Sequence, residues 1–474
     1  MNFKFVAGLE IHVQLNTKTK MFCSCPTEGP DIPNTRVCPV CLGYPGTLPV
    51  LNREAVVMAI ALGKALHGHI NNISRFHRKN YFYPDLPKGY QITQGDVPII
   101  ENAYLELSTG KKIPIKRIHL EEDAAKSVHV SSTGRLSGAE ETLLDFNRSG
   151  IPLIEIVTDP VFESPEEAAL FVEELQATLR YLGISNAQME LGQLRCDVNV
   201  SVELDGKEGT RVEIKNLNSI RAIRQALSYE YNRHVGAYKR GEIIPQETLA
   251  FDEKTNQTRP MRTKQTSEDY RYFPEPDLPP LVLTSDLFEE ADRYSGSFLE
   301  AYKNALQWIG KESEARTLAL NKDQYLMYAT FAKEGFDTKL LTRIITIDLP
   351  NILSEVGKGW NEINQSYISA ILNLQQKGEI TAAVAKDLLW QAARDIDPIK
   401  YAQEHQLLGK KDLDLEQVIS EVLEQNPDAV EKYKKGNVNV VSFLLGQVMR
   451  KTKGTADPGE TRKLLEERLT KLSE

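Results

Sequence analysis

Residues Leu9-Glu10-Ile11-His12-Val13-Gln14-Leu15 alternate strictly between apolar and polar. In an extended chain successive side chains point to opposite faces. Leu9, Ile11, Val13 and Leu15 therefore share one face, and Glu10, His12 and Gln14 share the other. This predicts a strand that buries one side and offers acids and an imidazole on its back. The same period recurs in Asp197–Val202 and Arg211–Lys215, with the turn-rich Asp205-Gly206-Lys207-Glu208-Gly209 between them. That pattern predicts a hairpin whose polar face carries Asp197, Asn199, Arg211, Glu213 and Lys215. Between the two strand regions lies a helix signal. Ser164 is a cap, Pro165 suits the first turn and Glu167 completes a capping box. Ala168, Phe171, Val172, Leu175, Leu179 and Leu182 follow at helical spacing, and Gly183 closes the element. Strands with an isolated helix predict an α+β fold with an antiparallel sheet, not a doubly wound parallel one.

Beyond about residue 290 the pattern turns helical. Leu326–Ala332, Ile368–Leu374 and Ala382–Ala393 carry helical spacing. Gly409-Lys410-Lys411-Asp412 reads as a linker, and Leu415–Leu423 and Val440–Met449 as the best helices of a small tail. The expected organisation is a sheet domain over 1–293, an all-α domain over 294–407 and an all-α tail over 408–474.

The chain has 474 residues, 41% apolar and 26% charged, which excludes a disordered or collagen-like chain. No apolar run approaches the roughly 20 residues of a membrane span. The start, Met1-Asn2-Phe3-Lys4-Phe5-Val6, meets Glu10 too soon for a signal peptide and has no transit-peptide character. A cytoplasmic protein without a membrane partner is expected. Net charge is −9, unevenly spread. Residues 430–474 carry ten basic and six acidic side chains, so the remainder holds −13. An acidic body with a basic end suits central cations and nucleic acid at the tail, although a solvated terminal helix would carry the same charges.

Four of the five cysteines fall within nineteen residues: Cys23, Cys25, Cys38 and Cys41. Two close pairs can give four thiolates to one tetrahedral Zn²⁺, with no open position for chemistry. A structural zinc is expected there. Cys196 has no histidine neighbour in sequence and reads as a small buried residue.

The carboxylates point elsewhere. Glu155 sits inside Leu153-Ile154-Glu155-Ile156-Val157, where a charge is costly unless something binds it. Glu121-Glu122-Asp123 forms an acidic cluster, and Asp197 and Glu213 share the hairpin's polar face. Oxygen ligands in this number suit Mg²⁺, which is held by a few carboxylates together with substrate phosphates. A third segment interleaves cations with tyrosines: Arg78-Lys79-Asn80-Tyr81-Phe82-Tyr83-Pro84-Asp85, then Lys88-Gly89-Tyr90-Gln91. It suits a polar conduit, RNA stacking or a packed tyrosine loop. No GxxxxGK[ST], GxSxG or HExxH motif occurs, so any use of ATP is not of the P-loop kind.

At these residues the chain resembles the B subunits of the tRNA-dependent amidotransferases, the GatB/GatE family. The likeness rests on Gly8-Leu9-Glu10-Ile11-His12-Val13, the 78–85 segment, His119-Leu120-Glu121-Glu122-Asp123-Ala124 and Asn147–Ile156. It extends through Leu194-Arg195-Cys196-Asp197-Val198-Asn199, Glu213-Ile214-Lys215-Asn216-Leu217-Asn218 and Asp269–Glu275. The resemblance implies a catalytic domain similar to glutamine synthetase, a helical domain and a YqeY-like tail. It implies ATP- and Mg²⁺-dependent phosphorylation of the side-chain carboxylate of Glu-tRNA(Gln) or Asp-tRNA(Asn). Ammonia from an amidase A subunit then displaces phosphate, and a small C subunit completes a heterotrimer.

By the same resemblance Glu10, His12, Glu122, Glu155, Asp197 and Glu213 stand at the metal and nucleotide positions. Glu10, His12, Glu122 and Glu155 are the expected magnesium ligands. Arg195, Asn199, Lys215 and Asn216 are expected to contact the nucleotide. An ammonia conduit through Lys79, Tyr81, Lys88 and the Glu121/Glu122 pair follows from residue type and resemblance together. Because His12 and Glu10 lie two apart on one strand, His12 is expected to ligate the cation directly.

Overall fold

The computed structural model describes residues 1–130, 139–262, 270–408, 415–452, 454 and 456–472, and the side chains of Asn216 and Arg262 lie outside what it describes. The expected linker at 409–412 also falls outside. The described chain divides into two units, Met1–Glu300 and Ala301–Glu474.

The first unit is α+β. Its strands, in chain order, are β1 (Phe3–Gln14), β2 (His69–Ile70), β3 (Ile73–Ser74), β4 (Phe76–Asn80), β5 (Tyr90–Gln94), β6 (Ile100–Glu106), β7 (Lys112–Glu122) and β8 (Lys126–Val130). They continue as β9 (Glu141–Asp145), β10 (Pro152–Thr158), β11 (Leu194–Leu204), β12 (Val212–Leu217), β13 (Thr248–Asp252), β14 (Gln257–Arg262), β15 (Phe273–Pro274) and β16 (Leu281–Val282). One sheet runs β14-β13-β12-β11-β1-β10-β7-β5-β4-β15, with β6 beside β7 and β2 beside β6. The predicted hairpin is β11–β12, paired antiparallel with Asn199 opposite Glu213. The sheet is not wholly antiparallel as expected. β12 and β13 run parallel, because helix α3 (Ile220–Lys239) intervenes and returns the chain to the starting end.

The register explains why β1 is the centre. It pairs along its whole length with β11 and over its second half with β10, so strands cover both of its edges. Leu9, Ile11 and Val13 are at most 1% exposed and join one core with helices α1 (Arg53–Ala65), α2 (Pro165–Leu182) and α3. At roughly 1.5–3 kcal/mol per buried aliphatic side chain, this face fixes the phase of the strand. A one-residue slip would put Glu10 and His12 into the core.

Helix α2 keeps its predicted caps. Ser164 Oγ accepts from the Glu167 N–H at 3.1 Å, and Gly183 adopts φ 78°, the left-handed form that glycine supplies without strain. Glu167 reaches back one residue further than a capping box requires, to the N–H of Glu163. Helix α1 is not legible in the sequence. All nine residues from Ala55 to Gly63 are buried, so it has no polar face and no helical period.

The second unit is helical, including Lys322–Lys333, Gln365–Gln376 and Ala382–Ala393. Its last four helices, Leu415–Gln425, Pro427–Lys434, Val440–Lys451 and Pro458–Lys471, close around a core of their own that includes Ile419, Val422, Leu444, Val448, Leu465 and Leu469.

Candidate active site

The polar face of the sheet carries rows of chemistry-bearing side chains. In β-pairing, directly opposed residues fall on the same face. His12 of β1 lies opposite Glu155 of β10, and Glu155 lies opposite His119 of β7. The adjoining row sets Glu10 opposite Asp197. Glu121, two residues beyond His119, completes the cluster, with its carboxylate 3.0 Å from Nδ1 of His12. Nε2 of His12 lies 3.6 Å from Glu10, and Nε2 of His119 lies 2.9 Å from Glu155. Two groups result, each with ligand-type atoms within 4.8 Å of one another: Glu10, His12 and Glu155, and His119, Glu121 and Glu155. Glu155 belongs to both. Either group could hold a metal ion.

The charges are mutually supporting. Burial works against an imidazolium at His12, but hydrogen bonds to Glu10 and Glu121 prevail and hold its pKa well above the ordinary value. Glu121 is likewise buried, yet the bond from His12 draws it down to about 2. Glu155 is lowered by His119 against the cost of burial, and Glu10 by its bond with His12. A buried acid cluster of this size stands because imidazoles are interleaved with it.

Glu10, His119, Glu121 and Glu155 of the cluster line a cleft of about 1000 Å³. Lys79 enters it from β4, with its ammonium 4.8 Å from the Tyr270 ring centre. Lys215 enters from β12 and binds Asp197 at 2.8 Å and Glu213 at 3.2 Å. Thr248 donates to Glu213 at 2.9 Å. Acids on the floor and lysines on the wall suit a cation together with a polyanion.

The structure thus brings together Glu10, His12, Glu121, Glu155, Asp197, Glu213, Lys79 and Lys215. Arg195 lies opposite His12 but is held at 2.9 Å by Asp123, which also takes a bond from Gln14. Asn199 stands one row further out, opposite Gly8 and Glu213. Asn216 lies on β12, its side chain outside the described residues.

Glu122 is a correction. It follows Glu121 on the same strand and so faces the other side of the sheet. There it pairs with Lys88 and accepts from the Ile92 N–H at 3.1 Å. Lys88 and Glu122 line a separate cavity of about 230 Å³ with Cys23, Cys41, Gly43 and Tyr90. The sheet therefore divides the expected conduit residues: Lys79 and Glu121 lie in the large cleft, Lys88 in the small cavity. Tyr81 meets Tyr270 edge to face and lies tilted against Tyr83. His119, which was not among the expected site residues, belongs to one of the two groups. Its signal is its phase with Glu121, two residues apart in a polar stretch.

The four cysteine sulfurs also lie within 4.8 Å of one another, a donor set that could bind a metal. Cys41 is the readiest thiolate. Its pKa is drawn down to about 4 by the bond from Cys23, the Cys38 N–H and nearby Lys20, while burial pushes Cys25 up to about 11. Cys196 is fully buried, as expected.

The molecule is thus an α+β protein whose sheet displays an acid–imidazole cluster in a wide polar cleft, with a helical region later in the chain. The chain belongs to the GatB/GatE family. Residues 5–289 match the GatB/GatE catalytic domain and residues 327–469 the GatB domain. The chain is 99% identical to the B subunit of the aspartyl/glutamyl-tRNA(Asn/Gln) amidotransferase of Coprothermobacter proteolyticus, over the full length of both. It is 41% identical to the protein of that name from Rippkaea orientalis, over 98% of both chains. It is 42% identical to that of Carboxydothermus hydrogenoformans, over 99% of both. No helix among the described residues is long and apolar enough to cross a membrane.

Proposed function

We propose that this chain is the phosphorylating subunit of a glutamine-dependent tRNA amidotransferase, acting on Glu-tRNA(Gln), Asp-tRNA(Asn) or both. The observation that carries the reading is the shared carboxylate Glu155 between two acid–imidazole groups on the floor of a lysine-walled cleft. The relatives' name supports these substrates. A sheet whose strand carboxylates face a nucleotide cleft is similar in plan to glutamine synthetase. The three-part division at residues 293 and 407 is proposed with it, the tail having its own core.

A carboxylate is a poor electrophile, and its acyl phosphate is a good one. Magnesium, when bound, neutralises charge on the transferring phosphoryl group. Glu10, His12 and Glu155 would hold it, and the donor set fits, because Nε2 of His12 faces Glu10 while Nδ1 is fixed by Glu121. A carboxylate on the far ring nitrogen is the usual way a ligating histidine is oriented. Lys79 and Lys215, which line the cleft, would bind ATP phosphates and orient them over the cluster. Ammonia would come from an amidase A subunit, with a small C subunit completing the complex in the cytoplasm. The Lys88–Glu122 cavity is the candidate entry for it, sheltered from water that would consume the acyl phosphate.

The decisive assay uses the purified three-subunit complex with each mischarged tRNA and ATP labelled in its γ-phosphate. Label appearing on the aminoacyl carboxylate, and amide product once glutamine is added, are expected. Product without phosphate release would overturn the reading.

His12 gives a second expectation. Its pKa is raised, so the imidazolium stabilises the metal-free fold below its unfolded value near 6.5, and that contribution is lost as pH rises through the higher folded value. A ligating ring nitrogen must be deprotonated, so Mg²⁺ should displace a proton and bind more tightly as pH rises. Calorimetry in buffers of different ionisation enthalpy should register the release, and His12→Gln should abolish it. Mg²⁺ binding without proton release in the wild type would remove His12 from the coordination.

The cysteine cluster is read as a structural zinc site. Chelation under reducing conditions should make the 23–41 loop protease-sensitive and lower Tm, while phosphoryl transfer persists. Freshly purified, reduced protein lacking zinc by metal analysis would sink this assignment.

The tail, with its positive excess, is proposed to contact tRNA. Deleting residues 408–474 should raise KM for charged tRNA roughly tenfold or more and flatten its salt dependence, because phosphate contacts are lost. ATP binding should be unchanged. Unaltered tRNA affinity would make the tail a packing element.

A further inference from the structure

We propose that Lys20 is the charge partner of the four-cysteine site, its buried ammonium compensating the thiolates and so governing how firmly the metal is retained. The inference rests on the reading of that site as a zinc site. Lys20 is 0% exposed, among the largest fully buried side chains of the chain. Lysine is almost never buried to this degree without a partner of opposite charge. Yet no Asp or Glu among the described residues pairs with it. Its ammonium donates to the Phe146 carbonyl at 3.1 Å and to Cys41 Sγ at 3.6 Å. A carbonyl carries no net charge, so the balancing charge must come from the sulfurs.

The balance favours this partner. Four thiolates around Zn²⁺ carry a net charge of −2, itself costly to bury, and one ammonium halves it. Cys41 Sγ also receives the Cys38 N–H at 3.2 Å, so the lysine supplies a second, charged donor to one sulfur. The position is built. The Lys20 N–H donates to the Cys25 carbonyl at 2.9 Å, and the Lys20 carbonyl accepts from Asn52 at 3.2 Å. The Ser149 hydroxyl donates to the Cys41 carbonyl at 3.2 Å. Gly150, at φ 84°, closes the cage. A Cβ there would lie 3.5 Å from Cδ of Lys20 and 3.6 Å from Cβ of Cys41. A lysine that merely filled space could be replaced by methionine at no cost to the metal.

The test measures zinc release from the intact chain to a chromogenic chelator, in wild type, Lys20→Met, Cys41→His and the double variant. Lys20→Met should speed release by about tenfold or more, the usual range for a lost partner of a metal ligand. With Cys41→His the site carries one negative charge fewer, so adding Lys20→Met should cost much less. In the cobalt-substituted protein, Lys20→Met should move the sulfur-to-cobalt charge-transfer band to lower energy, because a thiolate relieved of a donor gives up its electrons more easily. If Lys20→Met does not fold but the double variant folds and keeps zinc, the charge argument stands. Equal release from wild type and Lys20→Met, or failure to fold in both backgrounds, would reduce Lys20 to packing and overturn the proposal. Absence of zinc from the wild type would instead defeat the zinc reading itself.

Discussion

Glu155→Gln is expected to lower tRNA-dependent ATP cleavage by the complex about a thousandfold, with glutamine hydrolysis on the amidase partner persisting at its basal rate. Glu155 stands between His12 and His119 across three strands and is 5% exposed. It is the one residue common to both acid–imidazole groups. Glutamine keeps its size and one carbonyl oxygen but removes the charge that would hold a cation at either group. Metal-assisted charge stabilisation is worth several kcal/mol, and each 1.36 kcal/mol is a factor of ten in rate. The fold should survive, since glutamine is isosteric and its carbonyl can still accept from His119, and relief of repulsion with Glu121 and Glu10 offsets part of the attraction to the imidazoles that is lost. The measurement is phosphate release at saturating Mg²⁺ with mischarged tRNA, with a thermal melt to verify folding. Activity within tenfold of wild type, in a folded variant, would remove the cluster from the chemistry.

Arg78→Met should destabilise the first unit by about 3–5 kcal/mol, the cost of stranding a buried charge. Arg78 on β4 grips Glu275 through two bonds of 2.8 Å each and reaches Asp277 at 3.1 Å. The Glu275 side chain is 0% exposed. Phe273, two residues before it, pairs with Arg78 in the β4–β15 register, so this fork holds the edge strand to the sheet. The guanidinium also covers the Tyr90 ring at 4.1 Å. At roughly 2–4 °C per kcal/mol for a unit of this size, Tm should fall by about 10 °C. Adding Glu275→Leu should restore most of the loss, because a hydrophobic pair replaces the ion pair. Phosphoryl transfer should weaken as well, since Lys79 follows Arg78 on the same strand and enters the cleft. A single variant within 1 kcal/mol of wild type would show that the edge is held by other contacts.

Much of this site is legible residue by residue. The alternation around Glu10 and His12 places them on one polar face, and Glu155 stands out as a charge inside an apolar run. The helix at 165–182 announces itself through its caps. Helix α1 does not, because burial on all sides erases the period that reveals a helix. The division of Glu121 and Glu122 between the two faces is also within reach of the strand period. Counting by twos from Ile118 and Leu120 puts Glu122 on their face and leaves Glu121 with His119. The basic end of the chain stands out by composition, and the four cysteines by spacing.

Which side chains face the same way follows from local pattern alone, because a strand's period of two is a local property of backbone geometry. Which strands lie side by side does not follow from that pattern and emerges with the folded core. His12 and Glu121 are 109 positions apart and meet because β1, β10 and β7 are neighbours in one sheet. That order is set by how apolar surface from distant segments is buried together, a sum over the whole core that no local pattern contains. The same holds for Lys20, an ordinary lysine in the sequence, whose partner became evident only when the core closed over it and left sulfur as its counter-charge.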